Sequence, residues 1–391
     1  MSRPVICVVT GSRADYGLLQ GVLSLLAREE SVELQLVVTG MHLASEHGST
    51  WRQIEADGYT ITDRIETLLT SDTPAGVSKA MALGIIGFAD LFSRNRPAWV
   101  VVLGDRFEIY AAALAAFNAR LRIAHIAGGD VTGGALDDGY RHGITKLAHL
   151  HLVSHEQARL RVIQLGEAPA NVLNVGHPGI DTVRTTPLLS RQELESLLNC
   201  TLQPVNLLVT FHPPTLSEMG AGSELDALLE ALSALDPQTG LFFTGSNSDA
   251  QGRQLRAGIE AFVENRPYSW SFVSLGSRKY LSLVQAVDAV VGNSSSGLLE
   301  VPSLGKATVD VGSRQQGRFR GNSVIHCEAN APAITAAIHQ ALSMERSGIA
   351  NPYGDGHSSE RIVDALLARL STAHAGPKFF YEVKPHASHN V

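Results

Sequence analysis

The chain has 391 residues, a formal net charge of −7, 44% hydrophobic residues and 18% charged ones, so it exceeds one ordinary core and predicts two globular domains of roughly 180 to 200 residues each. Its lysines and arginines are scattered without a basic stripe, which argues against nucleic acid or an anionic membrane as the main partner. No apolar run approaches the roughly 18 residues of a membrane helix, and MSRPVICVVTGSRADYG enters a strand at once rather than forming a signal peptide, so the expected location is cytoplasmic.

Short β-branched runs alternate with helical patterns along the whole chain, which predicts an α/β protein with parallel sheets covered on both faces. In the first half the strands are expected at Val5–Thr10, Leu34–Thr39, Trp99–Leu103, Ile123–Ile126, Leu150–Val153 and Val172–Val175. Helices are expected at Tyr16–Arg28, where Leu18, Leu19, Val22, Leu25 and Leu26 share a face, and at Asp105–Arg120. The stretch from Asp181 to Val205 has no strand, carries a helix at Arg191–Asn199 and reads as the interdomain connection. The pattern then restarts, with strands at Leu207–Phe211, Leu241–Thr244, Phe272–Ser274, Ala289–Val291 and Thr308–Val311 and helices at Ser223–Leu235, Ala250–Glu264 and Arg278–Ala286. A last helix at Ser358–Leu370 precedes a polar, loosely held tail. The reading is two doubly wound, Rossmann-like domains facing across a cleft, spanning residues 1–185 and 186–372, with a tail at 373–391.

In open parallel sheets ligands lie beyond the carboxyl ends of the strands, so the loops there hold the candidates. After the first strand, Gly11-Ser12-Arg13 turns into a helix without the GxGxxG of a dinucleotide site, and the Arg13 fork suits phosphate oxygens. Asp105 follows the strand at Trp99–Leu103 and suits either a helix N-cap or a catalyst. In HIAGGDVTGG, four glycines in ten residues permit close approach of a ligand and bring Asp130 with them. Asp137 and Asp138 open the next helix, with Asp137 spaced to pair with Arg141 one turn on. His149, His151 and His155 have no carboxylate or thiol in register and read as structural, and Cys7, Cys200 and Cys327 fit neither a disulfide framework nor a zinc spacing. His212 is presented by the prolines of FHPPT. In GNSSSGLLE a strand ends on Gly292, offers Ser294, Ser295, Ser296 and Gly297, and opens a short helix carrying Glu300. Free backbone N–H groups at that turn make a phosphate seat, and an acid one turn on suits a ribose diol.

Taken together, TGSRADYG (10–17), VTGMHL (38–43), VLGDRFE (102–108), HIAGGDVTGG…DDGYRHGITKLAHLH (125–151), FHPPT (211–215), GSNSD (245–249) and GNSSSGLLEVPSLG…DVGSRQQGRFRG (292–321) resemble, in this order, the hydrolysing UDP-N-acetylglucosamine 2-epimerases. The resemblance runs from about residue 5 to about residue 370. It implies a two-domain fold of the glycosyltransferase-B type with the active site in the interdomain cleft. Arg13, Asp105, Asp137 and His212 fall on matching active-site positions. Ser294, Ser295, Ser296 and Glu300 fall on the nucleotide-holding segment, and Asn247 lies in another of the matching motifs. One departure is at HIAGGD: many relatives have Glu where this chain has Asp130, and the non-hydrolysing epimerases have Glu where it has Ala127.

The substrate so implied is a UDP-activated N-acetylated amino sugar, released as UDP and N-acetylmannosamine or its 2,4-diacetamido-trideoxy analogue for sialic or legionaminic acid synthesis. The chemistry needs two carboxyl groups on opposite faces of sugar C2; Asp130 with Asp137 or Asp138 are the candidates, and Asp105 is a third. Arg13, His212 and the serine-loop amides would meet the departing diphosphate. Neither a redox cofactor nor a metal is called for, and family members are usually homodimers or homotetramers. Two alternatives stay open: a glycosyltransferase of the same fold, and a catalytically silent nucleotide-sugar binding protein.

Overall fold

The computed structural model describes residues 3–69, 71, 73–131, 136–213, 221–245, 250–370 and 377–383. The chain divides into two compact units, Met1–Asp181 with Tyr353–Val391 and Thr182–Pro352.

The first unit is built on seven parallel strands: β1 (Val5–Thr10), β2 (Glu33–Thr39), β3 (Ile61–Ile65), β4 (Trp99–Leu103), β5 (Ile123–Ile126), β6 (Leu150–Val153) and β7 (Val172–Asn174). Their order is β3-β2-β1-β4-β5-β6-β7. The connecting helices are α1 (Arg13–Arg28), α2 (Trp51–Ala56), α3 (Pro74–Arg94), α4 (Phe107–Asn118), α5 (Asp137–Leu147) and α6 (Glu156–Gln164), and α7 (Pro178–Thr185) crosses the division after Asp181. Alternation along each strand sends side chains to opposite faces. Ile6 and Val8 join Leu19, Val22 and Leu23 of α1 in one core, and Cys7 and Val9 join Phe88 and Phe92 of α3 and Ile109 of α4 in another. Both faces are dry, which is why β1 and β4 read as unbroken apolar runs.

The second unit repeats the plan with β8 (Asn206–Thr210), β9 (Gly240–Thr244), β10 (Ser269–Phe272), β11 (Ala289–Gly292), β12 (Ala307–Val311) and β13 (Val324–Cys327), ordered β10-β9-β8-β11-β12-β13 and all parallel. Its helices are α8 (Arg191–Leu198), α9 (Ala221–Ser233), α10 (Ala250–Glu264), α11 (Gly276–Ala286), α12 (Ser296–Leu299) and α13 (Ala331–Ser343). In each sheet the order reverses at one place, between β1 and β4 and between β8 and β11. Adjacent loops part there and leave a crevice at the carboxyl edge.

The structure departs from the expectations in several places, one of them the strand expected at Phe272–Ser274, which lies at Ser269–Phe272 as β10. The edge strands β3 and β13 were not anticipated. Neither was α3, which by length and composition is apolar enough to cross a membrane, whereas no such run was expected; it packs Ala80, Gly84, Phe88, Leu91 and Phe92 inward. The last helix, α14 (Ser358–Leu367), belongs to the first unit and not the second, because Ile362, Val363 and Leu366 complete the core beside α1. Finally, residues 377–383 of the tail are held rather than loose, through contacts of Lys378 and Tyr381 with the first unit.

Candidate active site

At the crevice of the first unit, α1 begins with Ser12 as its N-cap: the Ser12 hydroxyl accepts from the Asp15 amide, and Asp15 Oδ2 accepts from the Gly11 amide at 3.3 Å. That reciprocal arrangement buries Asp15, and burial raises its carboxyl to about 6. Arg13, the first helical residue, is exposed and has no hydrogen-bond or ion-pair partner among the described residues. Its guanidinium is available to a ligand. Beside it, Gly11 and Gly40 lie directly on the fully buried Glu108; a Cβ at either would come within 3 Å of the Glu108 carboxyl. Glu108 pairs with Arg106. A pocket of about 750 Å3 opens next to this group, bounded by Gly40, Met41, Thr67, Leu69, Arg106 and Phe107.

Asp105 is not a helix cap; Arg106 occupies the cap position of α4. Freed from that duty, Asp105 pairs with Arg141, and Arg141 also pairs with Asp138. The partner of Arg141 on its own helix is therefore Asp138, three residues away, and not Asp137 as the spacing suggested. The buried guanidinium further donates to the Asp130 carbonyl at 2.9 Å, so one side chain ties together the loops after β4 and β5 and the first turn of α5. Asp137 stands exposed beside this knot, with no ion pair among the described residues. Partial burial and then the Asp105 charge push its carboxyl above the ordinary range.

Asp130 has a different partner. His155 Nε2 lies 2.6 Å from Asp130 Oδ1, and His155 Nδ1 accepts from the Ala158 amide as the N-cap of α6. With Nδ1 an acceptor, the neutral ring carries its proton on Nε2 and donates it to the carboxylate. Burial works to raise Asp130, but the hydrogen bond from His155, with Arg141 nearby, outweighs it and holds the carboxyl below the usual range. The other two histidines of this stretch point elsewhere: His149 Nδ1 accepts from the Ile123 amide, and His151 pairs with Glu167. The described glycines of the loop meet protein, since a Cβ on Gly128 would lie 2.8 Å from His125 Nδ1 and one on Gly129 2.5 Å from the Ala158 carbonyl. They seat the loop on the fold, which differs from the expected role of admitting a ligand.

In the second unit the crevice between β8 and β11 is closed by Asn293, fully buried. Its Oδ1 accepts from the His212 amide at 2.7 Å and its Nδ2 donates to the His212 carbonyl at 2.8 Å. This clamp, rather than the proline turn alone, places His212. Gly292 approaches β8 so closely that a Cβ would sit 1.9 Å from the Thr210 carbonyl, with φ at +139°. Ser294, Ser295 and Ser296 follow. The amides of Ser294 and Ser295 have no acceptor among the described residues, whereas the Ser296 hydroxyl accepts from Tyr280 at 2.7 Å. Helix α12 runs only four residues and passes into a 3-10 turn at Val301–Leu304, so what this turn could offer an anion is bare amides rather than a long helix dipole. Gly297 packs on Thr308, and burial raises the Glu300 carboxyl. Asn247 lies outside the described residues.

The structure thus brings Asp105, Asp130, Asp137 and Asp138 together in one unit and His212, Ser294, Ser295, Ser296, Gly297 and Glu300 in the other. Arg141, His155 and Asn293 were not anticipated as site residues. The 141 and 138 positions are three apart on one helix and offered a sequence signal; the other two act through contacts that no spacing encodes.

Residues 24–367 match the sequence model of a family described as UDP-N-acetylglucosamine 2-epimerase. An Escherichia coli protein named polysialic acid biosynthesis protein P7 is 35% identical over 383 residues, 97% of each chain. A Campylobacter jejuni protein named GDP/UDP-N,N'-diacetylbacillosamine 2-epimerase (hydrolyzing) is 35% identical over 331 residues, 84% of this chain and 86% of that one. Among solved structures, a putative UDP-N-acetylglucosamine 2-epimerase from Listeria monocytogenes superposes with a TM-score of 0.77 at 18% identity, over 97% of this chain and all of that one. The Neisseria meningitidis UDP-GlcNAc 2-epimerase bound to UDP-GlcNAc does so with 0.75 at 17%, over 93% and 100%. At those identities the structures attest the fold, which is of the glycosyltransferase-B type.

Proposed function

The chain belongs to the UDP-N-acetylglucosamine 2-epimerase family, and from that premise we propose that it is a hydrolysing 2-epimerase. Its substrate is a UDP-activated N-acetylated amino sugar, and its products are UDP and free N-acetylmannosamine or the 2,4-diacetamido-2,4,6-trideoxy analogue, for nonulosonic acid synthesis. The nucleotide falls to the second unit and the sugar to the first.

C2–H of such a sugar is not acidic, so its removal has to be coupled to departure of UDP from C1. Asp130 takes the C2 proton, the C1–C2 double bond of a 2-acetamidoglycal forms, and the C1–O bond breaks to give UDP. A second acid then protonates C2 from the opposite face while water adds its oxygen to C1 and returns a proton to solvent. The sum is UDP-sugar plus water to UDP plus the C2-inverted sugar. Arg13, His212 and the amides of Ser294 and Ser295 receive the charge that grows on the diphosphate; Glu300 takes the ribose diol. Asn247 is assigned to the nucleotide on sequence alone.

The observation that carries this reading is the pair of carboxyl groups with opposite environments. Asp130 is hydrogen-bonded by His155, which lowers its carboxyl and suits a base, while burial and the Asp105 charge raise the Asp137 carboxyl, which suits an acid. Asp105 and Asp138, both tied to Arg141, are positioned as supports. Incubation with UDP-N-acetylglucosamine or UDP-N,N'-diacetylbacillosamine in D2O, with no acceptor, tests it. The expected outcome is UDP and a free 2-epimer carrying deuterium at C2, with solvent oxygen on the sugar. Protium at C2 would rule out elimination, and intact substrate with both sugars would rule out the activity.

A further inference from the structure

The acid-bearing helix α5 ends without a glycine cap. Its cap residue, Ala148, is extended; its amide reaches the Ile144 and Thr145 carbonyls, and those of Lys146 and Ala148 are left to other donors. A side chain from the far end of the chain meets them. Lys378 Nζ lies 2.6 Å from the Ala148 carbonyl, 2.7 Å from that of Lys146 and 3.4 Å from that of Thr145. A cation at this end also complements the helix dipole. The same ammonium lies 2.8 Å from Glu167 Oε2, and Glu167 further accepts from Lys146 Nζ at 2.6 Å and His151 Nε2 at 3.0 Å. The segment around Lys378 is fixed as well. The Tyr381 amide donates to the Gly166 carbonyl at 2.8 Å. The Phe380 ring rests on Gly166, where a Cβ would lie 2.3 Å away, and Lys146 Nζ sits 5.1 Å from its centroid.

The other end of α5 carries Asp137, Asp138 and Arg141, roughly 16 Å away at 1.5 Å per residue. Two links join the ends. Thr145 Oγ1 donates to the Arg141 carbonyl, and it lies 3.3 Å from His125 Nδ1, whose Nε2 is 2.8 Å from the Gly104 carbonyl next to Asp105. We propose that Lys378 is a positioning residue for the reaction: with residues 377–383 as a strap, it fixes the C-terminal turn of α5 and thereby sets where Asp137 and the Asp138–Arg141–Asp105 knot stand against the sugar. This inference rests on the hydrolysing-epimerase reading for its catalytic consequence, but not for its structural one.

The test compares Lys378→Met, which keeps the stem and removes the charge, with Lys378→Arg, which keeps the charge, in the full chain. Lys378→Met is expected to lower kcat on the order of tenfold to a hundredfold, the range for a displaced catalytic group. KM, the affinity for UDP and the melting temperature stay near the parent's, and Lys378→Arg recovers most of the loss. Hydrogen exchange, read on the same variants, is expected to lose protection at the amides of residues 141–148 while β1 and β4 keep theirs. An unchanged kcat, or a loss shared by UDP affinity and melting temperature and not relieved by arginine, overturns the proposal. If the parent chain turns over no UDP-sugar, the functional reading fails and exchange alone decides: protection lost only in α5 upholds the strap, and unchanged protection refutes it.

Discussion

Asp130 and Asp137 are the same amino acid seven positions apart, and their neighbours give them opposite tendencies. If His155 is what holds Asp130 ionised, His155→Ala should raise the Asp130 carboxyl. A base must be unprotonated to act, so the acidic limb of the kcat/KM profile should move to higher pH, with the loss growing as pH falls along that limb. His155→Gln, which keeps a donor, should stay closer to the parent, and identical profiles in all three would remove His155 from this role. Asp15 titrates in the other direction. Its carboxyl goes from 3.8 to about 6 on folding, so its protonated form stabilises the fold, and that contribution is lost as pH rises through about 6. The shift is worth up to about 3 kcal/mol. Relative to the parent, Asp15→Asn should therefore gain stability between about pH 4 and pH 6 and hold the gain above. Urea midpoints at both ends of that window would show it, and a pH-independent difference would contradict it.

Among the elements, β11 and its turn make the sharpest demand on sequence. Gly292→Ala places a methyl on the Thr210 carbonyl at a backbone angle that side chains rarely adopt. A loss on the order of 3 kcal/mol is expected, together with weaker UDP binding, because the strand pair that clamps His212 must separate. Calorimetry showing parent-like UDP affinity would count against the assignment of nucleotide to that turn. The same strand shows what could be read in advance. Buried parallel strands such as Val100–Leu103 and Ala289–Val291 are apolar on both faces and announce themselves. Two of the edge strands do not: ITDRI of β3 is half solvated and alternates with charge, and β13 is four residues long. Helix α3 carries a Thr73 cap and Pro74 at its first turn, a start signal present in the sequence. Asp105 and Asp130 could be singled out because they come just after strand ends. His155 and Asn293 could not, since each acts by reaching a loop far away in sequence, and the reach is set by packing.

For the molecule as a whole, α14 is a component of the first unit's core. Leu366→Ala should cost about 2 to 5 kcal/mol, with the loss confined to the thermal transition of that unit and UDP affinity unchanged. Parent-like melting would place α14 outside the core. The division at Asp181 and again at Pro352 also has a temporal side. During synthesis the ribosome completes the second unit as one uninterrupted insert, while the first waits for its closing helix. From Arg28 at the end of α1 to Ser358 at the start of α14 is 358 − 28 = 330 residues, roughly 15 to 65 s of elongation at about 5 to 20 residues per second. Through that interval Leu19, Val22 and Leu23 lack their α14 cover, and Lys378 emerges later still. The nascent chain is therefore most prone to association before residues 353–383 appear, and a proteolytic nick ahead of α14 would leave the second unit intact and the first unfinished.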